Sequence, residues 1–389
     1  MFSITVVALS LAASQYSPRV LRNFMSDRAT QAVLGAFVSI FAYCLIVLRT
    51  VRGPDEGAFL PSLAVLGGMV MAFVGVFLLI YFVHHVASTI QVSSILERIS
   101  AETRSAIERL FPDALGTPAS ADTRAPDARR ETRATAIVDA PSTGYLVSVD
   151  GDALLACAER HSLVVEIVPA IGDFVIAELP LLRVAPAGAL DDATCRTLRG
   201  CFVIGRQRTV AQDAPFGLQQ IVDIGMKALS PGVNDPTTAV TCIDQLGALL
   251  VAVAGRRIPS PCRVSDGTVR VMARGSDFDA MLSLAFDAIS EHAADHVEVH
   301  ERLVSTIGRI AEATSDPGRR QALRRQLEIA VACAGRAGTP AHRFARFHAL
   351  CEQERARVAA PIATGSPPRS PSDAAAASAP EPSPATDRG

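Results

Sequence analysis

The chain is predicted to form an α-helical transmembrane bundle followed by a cytoplasmic α/β region, in which a small β-rich module precedes a mainly helical stretch. Three observations lead there. Residues 60–83, LPSLAVLGGMVMAFVGVFLLIYFV, contain no charged side chain. A second run, Gln31 to Leu48, is nearly as apolar and also uncharged. Beyond residue 140, short apolar runs and period-two patterns give way to patterns with helical spacing.

The two apolar runs are spans because roughly 20 residues, rising about 1.5 Å each, cross a hydrocarbon core of about 30 Å. Both are helices because an isolated span in lipid has to satisfy its own backbone N–H and C=O groups. Met1 to Ala13 is apolar too, but these 13 residues are too short to cross. They lack the basic start and cleavage site of a signal peptide. They are expected to be the remainder of a transmembrane helix whose first turns lie upstream. Arg19, Arg22 and Arg28 face only Asp27 in the loop 15–30, whereas Arg49 and Arg52 are balanced by Asp55 and Glu56 in the loop 49–59. Arg98, Arg104 and Arg109 follow the last span. Basic excess marks the cytoplasmic side, so the C-terminal part is placed inside a multipass inner-membrane protein.

Past Val83 the helix is expected to continue as an amphipathic extension to residue 111, ended by Pro112. Residues 112–140 read as a linker. The module 141–186 reads as strand (144–150), short helix (152–161), strand (163–169) and two further strands in FVIA and LLRVA. The region 187–358 reads as mainly helical, with helices at 216–229, 237–255, 276–294, 297–313, 317–336 and 340–358. A hairpin at 261–273 turns at Asp266-Gly267. The Pro-, Ala- and Ser-rich tail 359–389 reads as disordered.

Composition narrows the function. A net charge of −2 supplies no field for nucleic acid, and the absence of Trp leaves few stacking platforms. Lys227 is the single lysine among 37 basic residues, an excess of arginine read as coding bias. The eight cysteines form no CxxC pair and no metal-ligand spacing, which suits free thiols in a reducing compartment.

Several motifs stand out against plainer readings. Ser3, Ser10 and Ser14 share a face of the first helix, with Thr5 and Gln15 nearby; they bridge helices or line a wet path. Gly68, Ala72 and Gly75 form a small-residue stripe suited to close helix packing or oligomerisation. His84 and His85 stand at the end of the second span, about 100° apart on a helix, which disfavours a shared metal ion. In SPGVNDPTTA (230–239), Pro231-Gly232 suits a tight turn, Asp235 an N-cap and Pro236 the first helical position. The backbone N–H groups there and the Asn234 amide could hold an anion, although capping alone explains most of the pattern. His292, His296 and His300 recur every four residues and read as a solvated helix face rather than a metal site. No phosphate-binding loop, dinucleotide fingerprint or nucleophile elbow is present. Asp235 paired with Asp223 or Asp244 as acid and base is allowed by the sequence but not demanded by it.

SITVVALSLAASQYSPRVLRNFMSD, FAYCLIVLRTVR, FVHHVASTIQVSSILERI and ALSPGVNDPTTAVTCIDQLGALL together resemble a bacterial family of predicted membrane proteins, domain of unknown function 2254. The resemblance runs from about Met1 to about Ala334. Its matching positions are Ser14, Gln15, Ser17, Pro18, Arg19, His84, His85, Gln91, Ser230, Pro231, Asn234, Asp235 and Pro236. It implies two further hydrophobic helices upstream and a membrane bundle followed by a cytoplasmic part. It implies no catalytic residue, substrate or cofactor. The histidine stripe is not part of the family pattern. GDFVIAELPLLRV separately resembles the strand–turn–strand of biotinyl and lipoyl barrels. Glu178 or Leu179 replaces the glycine usual in that turn, and the carrier lysine is missing, so neither biotin nor lipoate is carried.

The expected partners are the lipid bilayer, further copies of the chain, and an ion or small solute. The leading expectation is an oligomeric channel- or transporter-like conduit, gated or assembled by the cytoplasmic part. The alternative is a membrane-anchored module that binds a ligand or partner without transport. The candidate functional residues are Ser14, Gln15, Arg19, His84, His85, Asn234, Asp235 and Thr237, with no metal or cofactor and no enzymatic activity expected.

Overall fold

The computed structural model describes residues 28–50, 62–89, 91–111, 135–260, 262–265, 267–293, 296–334 and 341–360. Readings that fall on the apolar start 1–13, the loops before residue 28 and at 51–61, the linker before residue 135 and the tail beyond residue 360 lie outside these residues.

Helices α1 (Arg28–Thr50) and α2 (Ser62–Thr89) carry the two apolar runs. They pack on each other through the small residues of α2. The Tyr43 hydroxyl donates to the Ala64 carbonyl at 3.0 Å. A Cβ on Gly67 would stand 2.8 Å from that hydroxyl, and one on Gly75 would meet Ile40 at 3.5 Å. Only 6% of the residues in each apolar segment are buried, so Phe41, Leu45, Leu63, Phe73 and Phe77 face outward. Apolar surface that continuous suits lipid.

The extension does not run straight on from α2. Gln91 is in extended backbone, and α3 (Val92–Leu110) starts anew behind it. The face of Ile95, Leu96, Ile99, Thr103, Ala106 and Ile107 is buried against two later helices, α6 (Ala214–Ala228) and α7 (Pro236–Ala254). The amphipathic stripe therefore completes a helical core. Helix α7 is itself long and apolar enough to span lipid, but 50% of it is buried inside this core.

The β-rich module reaches beyond the bounds 141–186. Strand β1 (Ala136–Asp139) lies in the expected linker. It is followed by β2 (Gly144–Val149), α4 (Gly151–Arg160), β3 (Val164–Ile167), β4 (Phe174–Val175), β5 (Pro180–Ala185), α5 (Asp192–Gly200) and β6 (Phe202–Gly205). The hairpin β7 (Cys262–Ser265) and β8 (Thr268–Met272) joins the same module, with β8 parallel to β3. One sheet runs β1-β5-β3-β8-β7 and the other β4-β2-β6. Leu146, Leu154, Val165, Leu182, Leu198 and Val271 fill the space they enclose. In the turn before β5, Glu178 occupies the left-handed position with φ +66. The module is joined to α6 by Asp213, which caps that helix and pairs with Arg208 at 2.8 Å. This pair sits so tightly on the turn at Gly172 (φ +93) that a Cβ there would lie 2.3 Å from an Asp213 oxygen.

The remaining helices are α8 (Phe278–His292), α9 (Val297–Glu312), α10 (Pro317–Ala334) and α11 (Ala341–Ala359). Contacts ascend together along α7 and α9, from Asp244–Arg302 to Gly247–Thr306, so these helices are parallel. Contacts also ascend along α9 and α11, from His300–Phe347 through Gly308–Glu354 to Glu312–Arg357. The orphan carbonyls at the C-terminal ends are capped by arginines. Arg256 donates to Phe111 O behind α3, and Arg319 donates to Val253 and Ala254 at the end of α7. Arg320 serves α9 and α11 at once, through Ala311, Thr314, Arg357, Val358 and Ala360.

Candidate functional site

The segment singled out at 230–239 is a rigid connection between α6 and α7. The Ser230 hydroxyl donates to Lys227 O at 2.6 Å. The N–H groups of Val233 and Asn234 both donate to Ser230 O, and that of Asp235 to Ala228 O at 2.8 Å. Asn234 takes φ +51, a conformation that Asn tolerates better than most side chains. The Asp235 carboxylate accepts from Thr238 N at 3.1 Å and Thr238 Oγ1 at 2.6 Å. The Thr238 hydroxyl and N–H hold that carboxyl below the usual carboxylate range. Asp235 is thus the N-cap of α7, with Pro236 opening the first turn. It makes no acid–base pair with Asp244. Nine residues of helix separate them by roughly 13 Å, and Asp244 is bridged to Arg302 at 3.2 Å. Asp223 accepts from Gln219 Nε2 at 2.8 Å.

Thr237 is the candidate that opens onto a cavity. A groove of about 710 Å³ lies between the start of α7 and the polar faces of α9 and α11. Thr237 and Ser305 offer hydroxyls, while Arg302, Arg309 and Arg346 bring guanidinium groups to its walls. Glu298 and Glu301 stand beside them, with Glu301 at 3.9 Å from Arg346. The Arg309 charge also bears on the Glu354 carboxyl, favouring its ionised form. A groove of mixed sign with forked donors suits a small anionic or zwitterionic molecule. Among the described residues, no nucleophile–base pair lines it. The sequence signal was present: Glu298, Glu301, Arg302, Ser305 and Arg309 recur at helical spacing. Nothing local showed that this polar stripe faces α7 and α11 rather than open water.

The other candidates do not converge on this groove. His84 is exposed and His85 stacks on Tyr81 at 5.7 Å, both in the last turns of α2. Ser14, Gln15 and Arg19, like Ser3 and Ser10, lie outside the described residues. The three histidines are split between two helices. His292 closes α8 and contacts Ala288 O, His296 is the residue before α9, and His300 lies within α9. His300 is no solvated residue. It is 0% exposed and edge-on to Phe347, with the Ala293 backbone as the polar group beside its ring. Burial pushes its pKa down to about 4, so the ring is neutral. The apolar seam of α9 against α11 holds it there, because i, i+3 and i+4 positions of this helix face the core. All eight cysteines are free, and burial drives the Cys242 thiol up to about 12.

Apolar helices long enough to cross a membrane, ahead of a mixed α/β region, define the class as a predicted membrane protein. The chain belongs to the family known as domain of unknown function 2254, described as a predicted membrane protein, whose pattern matches residues 1–309. An uncharacterized protein of Mycobacterium tuberculosis (strain ATCC 25618 / H37Rv) is 35% identical over 349 residues, covering 86% of this chain and 65% of that protein. An uncharacterized protein of Mycobacterium bovis matches to the same extent. The chain therefore spans about 65% of the length of these curated relatives. No solved structure matches.

Proposed function

We propose that the chain is an inner-membrane protein whose cytoplasmic part binds a small anionic or zwitterionic ligand in the groove between α7, α9 and α11. The observation that carries this reading is the gathering of Arg302, Arg309 and Arg346 around Thr237 and Ser305. In this reading the spans anchor the module and bring copies together, and no solute crosses. The conduit reading rested on Ser3, Ser10 and Ser14, outside the described residues, whereas the ligand reading has a described cavity behind it. A cytoplasmic location for the part after the spans is supported by Arg19, Arg22 and Arg28 against Asp27 in the residues leading into α1, two crossings away, and by eight free cysteines.

Thermal unfolding of the full chain in detergent tests the reading. Inorganic phosphate, dicarboxylates, amino acids and nucleotides are the probes. At a concentration of 100 times Kd a bound ligand adds roughly 2.7 kcal/mol. At least one class is expected to raise the midpoint, and Arg309→Ala to abolish that rise in a chain that still unfolds cooperatively without ligand. A flat response to every class would remove the proposal.

A further inference from the structure

The direction of the core helices fixes which end of the soluble part meets the membrane. The apolar span ends at His85, helix α2 ends at Thr89 and α3 begins at Val92, so the start of α3 lies within about 11 Å of the end of α2. Helices α3 and α7 each have 19 residues, about 28 Å at 1.5 Å per residue. Their C-terminal ends are tied together, because Arg256, next after the C-cap Gly255, donates to Phe111 O at 3.0 Å. Packed side by side, pointing the same way and level at one end, they are level at the other. The connection entering α7 is then level with the start of α3, one interhelix distance of roughly 8–10 Å to its side, and within about 20 Å of the end of α2.

That connection ends in an exposed tip of Pro231, Gly232, Val233 and Asn234, with Val233 45% exposed. Its backbone hydrogen bonds to Ser230 and Ala228 hold the apolar tip outward. We infer that Pro231 to Asn234 rest on the bilayer surface at the level of the lipid headgroups. The β-rich module then stands at the far end, since the hairpin β7–β8 leaves from the C-terminal end of α7. The charges beside the tip are mixed: the groove at the start of α7 carries Arg302, Arg309 and Arg346 with Glu298 and Glu301. The contact is therefore not recruited by anionic lipid. The covalent span supplies a high local concentration, and Val233 supplies a small apolar foot. The contact holds whatever the groove binds and needs only that α2 crosses lipid.

The chain contains no tryptophan, so Val233→Trp creates a unique fluorophore. Arg257→Trp, at an exposed site beyond the other end of α7, is the control. Both full-length variants are placed in nanodiscs containing lipid spin-labelled at the headgroup. The expected result is loss of emission and a blue shift at 233, with neither at 257, unchanged between neutral and anionic lipid. Unquenched emission at 233, or equal quenching at both positions, would overturn the inference. Pro231→Trp gives the same readout should Val233→Trp misfold.

Discussion

Arg320 directs one guanidinium at five backbone carbonyls from the ends of two helices. Such carbonyls carry the negative end of the helix dipole, and a planar fork reaches several at once where an ammonium reaches few. Arg320→Ala is expected to destabilise the fold by about 2–4 kcal/mol, read as a lower urea midpoint, with Arg320→Lys recovering little. The arginine excess had been legible only as coding bias; the carbonyls it meets come from residues distant in sequence. His300 gives the pH dependence. Its ring ordinarily titrates near 6.5 but is held down to about 4 by burial. The unfolded chain therefore binds the proton first as pH falls. Stability is full above about pH 6.5 and drops through the window down to pH 4, by on the order of 3 kcal/mol. Equilibrium unfolding across that window is expected to flatten in His300→Leu. An unchanged slope would mean that other groups carry the acid sensitivity.

At the scale of elements, local pattern and long-range pairing part company. The helices at 214–228, 236–254 and 297–312 were legible to within a few residues, because caps, Pro at the first turn and apolar spacing are written locally. Strand β1 was not, since Ala136–Asp139 is too short to show a period. The union of β8 with β3 was not, because Val271 and Val165 are far apart in the chain. The docking of α3 was missed for a related reason: an amphipathic stripe does not name its partner. Two substitutions probe how closely the elements fit. A Cβ on Gly247 would lie 2.4 Å from Thr306 Cγ2, where α7 crosses α9. Gly247→Ala is expected to cost about 1–3 kcal/mol, and Thr306→Ser, which removes that methyl, to recover most of it in a double-mutant cycle. Glu178→Gly in the turn before β5 relieves a left-handed side-chain residue and is expected to stabilise by about 0.5–1 kcal/mol. A fall in the urea midpoint on that change would show that the Glu178 side chain contributes more than its backbone conformation costs.

The whole molecule stacks three layers: an apolar helix pair, a helical core entered through α3, and a β-rich module at the core's far end. The chain passes between core and module repeatedly, through Asp213 and again through the hairpin β7–β8, so these two layers share their stability. The candidate site belongs to the core alone, and its legible part was the stretch around Thr237. The groove that gives Thr237 a role needs α9 and α11 alongside, a relation only the folded chain supplies. Everything above the first layer assumes that α1 and α2 lie in lipid with the rest of the polypeptide on the inner side. Sealed spheroplasts producing the full chain decide it most directly. Membranes stripped with alkaline carbonate are expected to retain the protein, and protease added outside to leave residues beyond Pro112 intact until the spheroplasts are lysed. Release into the carbonate wash would contradict the membrane insertion on which both proposals stand, and digestion of that part before lysis would contradict its place on the inner side.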